Sequence, residues 1–290
     1  MKPLDVLLAL LVALTWGLAF VFTKIALDAF SPPMLLAIRF ALAALPVVLL
    51  APPQGDWRLL LALGLTLFAG QFLFQFIGMA NGVPPGLAAL IVQSQALFTV
   101  GLAAAVLRQV PTPRQGLALM VATLGFLCIT GTVGVEFDLA GLLLMLLSPL
   151  CFAVGNLLLA RLAERDMLRL MVWLSLVPPL PGLGLALATQ GSGDVWREIV
   201  TAPWAAWLSV LYLGVVGTTI AYAVWGRLLA RYPAPAVAPF ALLVPFVGAA
   251  ASAVFLGETF GPLRLAGMLL VLAGLAILVL PWRDTWWRPR

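Results

Sequence analysis

Long apolar stretches separated by short polar breaks run through the whole chain. A bilayer core about 30 Å thick is crossed by a helix of about 20 mainly apolar residues, and ten stretches of roughly this length follow one another here. This pattern predicts an all-α integral membrane protein with ten transmembrane helices. The predicted spans 1 to 10 cover residues 4–27, 32–51, 58–78, 84–107, 114–132, 139–161, 168–188, 204–228, 235–256 and 263–281.

The breaks between the spans are short and rich in residues typical of turns. Examples are Ser-Pro-Pro at 31–33, Asn-Gly at 81–82 and Gln-Gly-Ser-Gly-Asp at 190–194. Breaks of this length leave no room for a soluble domain. The composition agrees, since 63% of the residues are hydrophobic and 9% are charged, with a mean hydropathy of +1.13. Soluble proteins carry about 25% charged residues, so lipid is the expected surroundings of most side chains.

Basic residues are concentrated in alternate breaks. If the N-terminus is cytoplasmic, 12 of the 16 lysines and arginines fall in cytoplasmic segments, whereas only Arg197 and Arg264 fall outside. The remaining two, Lys24 and Arg39, lie within spans or at their ends. Because cytoplasmic loops carry the excess of basic residues, we expect a multi-pass protein of the inner (cell) membrane with both termini in the cytoplasm.

The two halves of the chain share landmarks. The pairs that lie 149 positions apart include Arg108 and Gly257, Pro113 and Pro262, and Gly125 and Gly274. Each half holds five spans, and because five is odd, the halves must enter the membrane in opposite senses. Inverted repeats of this kind are typical of secondary transporters, with the substrate path near the midplane. We therefore expect two inverted five-helix repeats, 1–133 and 138–282, and a cytoplasmic tail, 283–290.

Several motifs, in order along the chain, resemble EamA-type repeats of the drug/metabolite transporter superfamily. They are Trp-Gly through Lys at 16–24, Pro33 to Arg39-Phe40, Gly-Thr-Thr-Ile-Ala-Tyr at 217–222, and Pro245 followed by Phe-Leu-Gly-Glu at 255–258. Within that family, residues 91–99 and 172–181 resemble exporters of the O-acetylserine/cysteine type. The resemblance implies a ten-helix exporter of small amphiphilic metabolites, with amino acids or their derivatives as substrates, that works by alternating access.

The chain departs from the family pattern in its first half. Span 4 has Ala96 where Pro245 stands in the second half, and Arg108-Gln109 where Gly-Glu is usual. The resemblance therefore implies that gating in the first half differs from that of a typical member.

Polar and aromatic side chains inside the spans are the candidate substrate-binding residues, because a polar group that faces lipid is costly. Gln71 and Gln75 are four residues apart and share a helical face, as do Thr218 and Tyr222. Bonding or packing between helices is the alternative for each of them. The full set of candidates is Trp16, Phe20, Gln71, Gln75, Gln95, Thr99, Asn156, Thr218 and Tyr222.

Span 4 offers two glutamines close together. On a helix of 3.6 residues per turn, Gln93 and Gln95 are about 200° apart, so one cavity is not expected to receive both. Gln95 shares a face with Thr99. We therefore expect Gln95 and Thr99, rather than Gln93, to face the substrate path.

Three further residues are expected to act in gating or structure. Arg39 lies about seven residues into span 2 and is expected to have a structural partner rather than to contact substrate. Pro245, followed by the small residues at 248–252, is typical of a kinkable gating helix and equally of a close helix crossing. Glu258 and Asp5 lie at span ends. Since the chain has no histidine and no acid inside a span, we expect transport down the substrate gradient, or coupling through one of these two carboxylates.

Chemistry other than transport is not indicated. The chain has no histidine, no HExxH, no GxSxG and no P-loop, so no enzyme activity, metal or cofactor is expected. Basic residues occur singly, so no nucleic acid is expected. The expected partners are a small-molecule substrate and the lipid bilayer, and the expected unit is a monomer. A carrier of lipophilic cations or other xenobiotics and a non-transport membrane adaptor stay open as alternatives.

Overall fold

The computed structural model of the protein describes residues 1–108, 110–132, 137–162 and 166–280. Within these ranges, ten helical stretches are long and apolar enough to cross a bilayer. The predicted fold class, all-α with ten membrane-spanning helices, is therefore confirmed. The predicted tail at 283–290 lies outside the described residues, as do Gln109 and the basic residues Arg165, Arg283, Arg288 and Arg290.

The helices follow the predicted spans closely, and several spans consist of more than one segment. Span 2 ends in a short 3₁₀ helix, and spans 3 and 8 each contain a π-helical segment between two α-helices. The helical segments, by span, are Pro3–Leu27; Pro32–Ala44 and Leu45–Leu49; Trp57–Leu63, Gly64–Gly70 and Gln71–Ala80; Pro85–Gln93 and Gln95–Leu107; Pro113–Thr130; Leu139–Leu159; Met167–Leu174 and Pro179–Thr201; Trp204–Leu211, Tyr212–Ile220 and Ala221–Arg231; Ala234–Ala241 and Leu243–Leu256; and Pro262–Val279.

Span 7 differs from its prediction. It continues well past the expected end near residue 188, because helix resumes after a break at Gly191 and runs to Thr201. Gly191 has φ 82° and ψ 164°, a conformation that a residue with a side chain rarely adopts. Beyond it, Asp194 pairs with Arg197 one turn later at 3.0 Å. The Gly-rich segment predicted as a loop is thus a change of backbone direction at Gly191 followed by a short helix.

Span 5 carries its large side chains on the outside and its small ones inside. Leu117, Met120, Leu124 and Leu127 are exposed, whereas Ala118, Ala122 and Gly125 are buried. Small residues at a helix interface let backbones approach closely where lipid provides no hydrophobic drive for association. Span 5 is therefore arranged to face lipid outward and a neighbouring helix inward.

That neighbour is span 10, and the crossing is symmetric. A Cβ atom placed on Gly125 would lie 2.7 Å from the Gly267 carbonyl oxygen, and one placed on Gly274 would lie 2.8 Å from the Ala118 carbonyl oxygen. Gly274 is 149 positions after Gly125, and Gly267 is 149 positions after Ala118. Each contact is therefore the counterpart of the other at the interval of 149 positions.

Backbone irregularities also recur at matching positions. The π-helical segments begin at Gly64 in span 3 and at Tyr212 in span 8, 148 positions apart. Spans 4 and 9 end in left-handed residues, Arg108 (φ 54°) and Gly257 (φ 68°), which are 149 positions apart. The shared landmarks in the sequence thus correspond to shared backbone geometry.

The interior forms two large apolar clusters. One is built mainly from spans 4, 5, 9 and 10, and the other mainly from spans 2, 3, 7 and 8. Each cluster therefore combines equivalent spans from both halves of the chain. Spans 1 and 6 lie alongside them, and the candidate site lies between the two clusters.

Candidate functional site

A cavity of about 360 Å³ lies inside the bundle. Residues from eight spans line it, all except spans 5 and 10. Toward the end of the bundle that holds the N-terminus, its walls include Leu159 at the end of span 6, Met167 at the start of span 7 and Leu229 near the end of span 8. We call this end the amino-terminal end. The cavity thus extends from the middle of the bundle toward the amino-terminal end.

One wall is aromatic. The ring centroid of Trp16 lies 5.4 Å from that of Tyr222 and 5.2 Å from that of Trp225. Phe68 continues the wall, with its centroid 6.1 Å from Tyr222. The predicted residue Phe20 also lines the cavity. Aromatic faces at these spacings provide a rigid apolar surface for a ligand's hydrocarbon part.

The remaining polar lining is mainly amide. Of the predicted residues, Gln71, Gln75, Gln95 and Asn156 line the cavity. The side-chain amide oxygens (Oε1) of Gln71 and Gln95 are buried and have no hydrogen-bond donor among the described residues. An unpaired buried acceptor costs free energy. Rotation of either amide toward the cavity would offer this acceptor to a ligand that carries hydrogen-bond donors.

Gln93 corrects a sequence-based expectation. It lines the cavity together with Gln95, although the two were not expected to face one cavity. The expectation assumed a continuous helix, but span 4 breaks at Ser94, whose backbone N–H and hydroxyl both bond the Ile91 carbonyl. The break changes the direction of the side chains that follow it. Both glutamines therefore reach the same space.

Gln93 also forms a hydrogen bond with the backbone of span 9. Its Nε2 donates to the Ala241 carbonyl oxygen at 2.6 Å. In a continuous helix that oxygen would accept from residue 245, but Pro245 has no N–H. Span 9 is interrupted at Leu242, between its two helical segments. Pro245 is buried next to this interruption and does not line the cavity. Its missing donor is replaced by a side chain from the opposite half of the protein.

The π-helical segment of span 8 orients several candidates. Trp16 Nε1 donates to the Gly217 carbonyl oxygen in this segment at 3.0 Å. Thr218 is buried, and its hydroxyl donates to the Leu213 carbonyl oxygen at 2.9 Å. Although Thr218 and Tyr222 were expected to share a face, only Tyr222 lines the cavity. A π turn is wider than an α turn, so side chains four residues apart no longer lie above one another.

Thr99 connects two spans behind the cavity wall. Its hydroxyl donates to the Gln95 carbonyl oxygen at 2.8 Å and accepts from Asn156 Nδ2 at 3.3 Å. Thr99 itself is not among the lining residues. It joins span 4 to span 6 and holds the Asn156 amide in place.

Arg39 lines the cavity from span 2 and is 4% exposed. Its Nη2 donates to the Thr218 hydroxyl at 3.3 Å, and its guanidinium carbon lies 4.2 Å from the centre of the Phe72 ring. Burying an ion costs several kcal/mol, whereas a desolvated cation–π contact returns about 2 kcal/mol and a hydrogen bond about 1.5–3 kcal/mol. These contacts offset much of the cost, but none of them supplies a negative charge.

Glu258 closes the end of the bundle opposite the amino-terminal end. One of its carboxylate oxygens accepts from the Gly86 backbone N–H at 2.9 Å and from the Ser252 hydroxyl. The other oxygen pairs with Arg264 at 3.2 Å. Gly86 belongs to span 4, and the other three residues belong to the second half. A buried carboxylate thus connects the two halves at this end.

A second polar contact between the halves lies at the same end. Glu198 accepts from the backbone N–H and the hydroxyl of Ser31, both at 3.2 Å. Gln190 Nε2 donates to the Ser31 hydroxyl at 2.6 Å. Ser31 precedes span 2, while the other two residues belong to span 7.

At the amino-terminal end, Asp5 is the buried carboxylate. It accepts from the Tyr232 hydroxyl at 2.8 Å and lies 3.6 Å from Arg231. Neither Asp5 nor Glu258 is among the lining residues of the cavity.

Some lining residues were not predicted from the sequence. Trp225 lies three residues after Tyr222 on the same helix, so helical spacing from a chosen candidate could have found it. Met167 and Met171 are four apart at the start of span 7, but apolar residues of this kind are typical of packing. The sequence carries no signal that separates them from lipid-facing methionines.

Comparison with known proteins identifies the family. The EamA-like transporter family matches the chain twice, over residues 4–131 and 139–280. Together these matches cover nearly every residue. The chain belongs to the EamA-like transporter family. It is therefore a multi-pass membrane transporter for small molecules, in agreement with the resemblance of its motifs.

Two bacterial relatives match this EamA-like transporter over nearly its full length. A protein of Salmonella typhimurium (strain LT2) named probable amino-acid metabolite efflux pump is 38% identical, over 98% of this chain and 97% of the relative. A protein of the same name from Escherichia coli (strain K12) is 36% identical, over 98% of each chain. A solved crystal structure with 17% identity covers 96% of both chains with a TM-score of 0.59 and supports the fold.

Proposed function

We propose that this EamA-like transporter exports small amphiphilic metabolites, namely amino acids or their derivatives, by alternating access. The observation that carries the proposal is a cavity with aromatic and amide walls that reaches the amino-terminal end, while contacts between the halves close the opposite end. A cavity open toward one side at a time is what alternating access requires. The names of the two bacterial relatives support amino-acid metabolites as the substrate class.

The amino-terminal end is proposed to face the cytoplasm of a cell whose inner membrane holds the protein. The distribution of basic residues supports this orientation. Of the described basic residues in the loops and at the span ends, three lie at the opposite end, namely Lys24, Arg197 and Arg264. Those at the amino-terminal end are Lys2, Arg58, Arg108, Arg114, Arg161, Arg169, Arg227 and Arg231. The cavity then collects substrate from the cytoplasm, as an exporter must.

The two halves, 1–133 and 138–282, are proposed to be inverted repeats that exchange roles during transport. The symmetric crossing of spans 5 and 10 and the matched π-helical segments support this assignment. Five spans in each half give the halves opposite directions through the membrane. Equivalent conformations of the two halves then produce two states of the same protein that are open to opposite sides.

Spans 4 and 9 are proposed to be the moving gate. The segment Pro85–Gln93 packs on Leu243–Leu256, and a Cβ atom placed on Gly86 would lie 3.1 Å from the Ala249 Cα. The other segment of span 4, Gln95–Leu107, packs on span 6. If the halves exchange conformations, the first contact opens and the cavity becomes accessible from the opposite side. The breaks at Ser94 and Leu242 allow each segment to move without unfolding the other.

Two alternatives are less consistent with the lining of the cavity. Arg39 places a positive charge in the wall, and within the described residues no acidic side chain lines the cavity. A lipophilic cation would therefore meet repulsion without compensation. A membrane adaptor has no need of an internal polar cavity. We also propose that the protein is not an enzyme, acts as a monomer and uses no cofactor or nucleic acid.

Coupling is proposed to depend on the substrate gradient. No carboxylate lines the described cavity, so proton coupling would have to act through Glu258 or Asp5, which lie at opposite ends. A proton flux that stays strictly coupled to transport after both residues are neutralised would contradict this.

Counterflow of labelled amino acids in proteoliposomes tests the proposal. Purified protein would be assayed with L-leucine, L-phenylalanine and L-cysteine, and with tetraphenylphosphonium for the cation alternative. We expect saturable amino-acid counterflow that falls at least tenfold in Gln95→Ala and Tyr222→Ala. Gln115→Ala serves as the control, because Gln115 lies in the capping box at the start of span 5 and not in the cavity. Movement of the cation alone, or of no substrate, would reject amino-acid export.

A further inference from the structure

Arg39 is a buried cation whose charge is not neutralised by the protein. Among the described residues no carboxylate pairs with it, and its Nε has no hydrogen-bond partner. Its Nη2 donates a hydrogen bond to the neutral hydroxyl of Thr218. Aromatic rings take the place of a counter-ion: its guanidinium carbon lies 4.2 Å from the centre of the Phe72 ring and 5.5 Å from that of Phe40.

The position of this charge points to a ligand. Arg39 is part of the cavity wall and is 4% exposed, so its guanidinium borders a molecule bound inside and is shielded from lipid. A guanidinium that turns its N–H groups toward the cavity can bind a carboxylate through two parallel hydrogen bonds, the arrangement for which arginine is best suited. A bound anion would supply the negative charge that the aromatic rings and the Thr218 hydroxyl do not supply.

The same cavity also holds hydrogen-bond acceptors that suit a positively charged group such as an ammonium. The side-chain oxygens of Gln71 and Gln95 are buried without donors, and both residues line the cavity. Amide oxygens can accept hydrogen bonds from an ammonium group without adding a negative charge to the wall. Unpaired donor and acceptor groups thus occur together in the wall of one mainly apolar cavity.

We propose that Arg39 binds the carboxylate of the transported metabolite, while Gln71 and Gln95 accept hydrogen bonds from its ammonium group. The hydrocarbon side chain then lies against Trp16, Tyr222 and Trp225. This assignment rests on the proposed function and narrows it, because it makes a free carboxylate the essential group of the substrate. An amino acid is bound, its amide or ester is bound poorly, and the amine without the carboxylate is rejected.

A structural role for Arg39 makes a different prediction. Arg39 also connects span 2 to the π-helical segment of span 8 through Thr218. If Arg39 served only to connect these spans, its replacement would reduce transport of all substrates in proportion. Carboxylate recognition instead changes the order of preference among ligands of the same shape.

The test is competition by unlabelled compounds against labelled L-leucine, L-phenylalanine or L-cysteine, whichever the wild-type protein moves fastest. The competitors are the same amino acid, its primary amide and the amine that lacks the carboxylate. In wild-type proteoliposomes we expect the amide and the amine to compete at least tenfold more weakly than the acid. Equal competition by the acid and the amide would overturn the proposal, and this result needs no variant.

Variants of Arg39 test whether this residue causes the preference for the acid over the amide. Arg39→Gln should abolish the advantage of the acid over the amide, whereas Arg39→Lys, which retains the charge, should preserve part of it. Arg197→Gln removes an exposed arginine paired with Asp194 at the opposite end and should keep the wild-type order. An unchanged preference in Arg39→Gln would overturn the role of Arg39 while leaving amino-acid transport intact. If the wild-type protein moves none of the three amino acids, amino-acid export itself fails and this assignment fails with it.

Discussion

Gln93 and Ala241 join the breaks of spans 4 and 9. Gln93 Nε2 donates to the Ala241 carbonyl oxygen at 2.6 Å. Gln93 is the last residue before the break at Ser94, and Ala241 is the last residue before the break at Leu242. Both residues line the cavity. The breaks in spans 4 and 9 therefore meet beside the cavity.

The helix end at Arg108 predicts a stabilising substitution. Arg108 has φ 54°, while its counterpart in the second half is a glycine with φ 68°. The left-handed conformation costs a residue with a side chain about 1 kcal/mol. Arg108→Gly should therefore raise the thermal unfolding temperature of the purified protein. Arg108→Ala controls for the lost charge and should give no such gain, and Gly257→Ala should lower the unfolding temperature. A gain from alanine equal to that from glycine would contradict the backbone explanation.

The close crossing of spans 5 and 10 predicts that a larger residue at Gly125 destabilises the protein. A methyl group at Gly125 would lie 2.7 Å from the Gly267 carbonyl oxygen. Overpacking of this kind costs about 1–3 kcal/mol, so Gly125→Ala should lower the unfolding temperature. Gly116→Ala is the matched control in the same helix, because a methyl group there meets no atom within 4 Å. An equal change in unfolding temperature in Gly125→Ala and Gly116→Ala would show that the helices do not pack as described.

Glu258 should determine which side of the protein is open. Its carboxylate joins Gly86 to Arg264 at the closed end. Glu258→Gln weakens this contact and should increase labelling of a cysteine placed at Ala249 by an impermeant maleimide. The background would lack Cys128 and Cys151. Asp138→Asn, which changes an exposed acid at the same end, should leave labelling unchanged. Reduced labelling in Glu258→Gln would contradict a closing role.

Transport should depend little on pH near neutrality. Among the described residues, the cavity wall holds no carboxylate and the chain has no histidine. Those groups titrate between about pH 4 and pH 7, so the charge of the wall stays constant from about pH 6 to pH 8. Counterflow rates at these two values should agree within about twofold. A steep change that disappears in Glu258→Gln or Asp5→Asn would instead identify a coupling carboxylate.

The spans could be predicted from the sequence because a bilayer imposes a length and an apolar composition on each of them. Span 1, expected over 4–27, is the helix Pro3–Leu27. Irregularities within spans could not be predicted in this way. Nothing in the apolar pattern marks the break at Ser94 or the π-helical segment Tyr212–Ile220. These features nevertheless decide which side chains reach the cavity.

The candidate site was therefore predicted in part. Residues on regular helix, such as Trp16 and Gln71, line the cavity as their spacing suggests. A continuous helix predicts that Gln93 faces away from the cavity, and Thr218 lies behind the wall because it belongs to a π turn. Arg39 has a structural partner, as expected, but that partner is a neutral hydroxyl and the other contacts are aromatic rings. Whether a buried charge is neutralised depends on its neighbours in space, which a single sequence does not specify.

The most direct test of alternating access is counterflow of a labelled amino acid through protein that carries Gly86→Cys and Ala249→Cys in a background without native cysteines. These positions face each other where spans 4 and 9 meet at the closed end. We predict that oxidation to a disulfide stops counterflow and that reduction restores it, while the Ala249→Cys variant alone transports under both conditions. Continued counterflow through the disulfide-linked protein would contradict a path that opens between these spans.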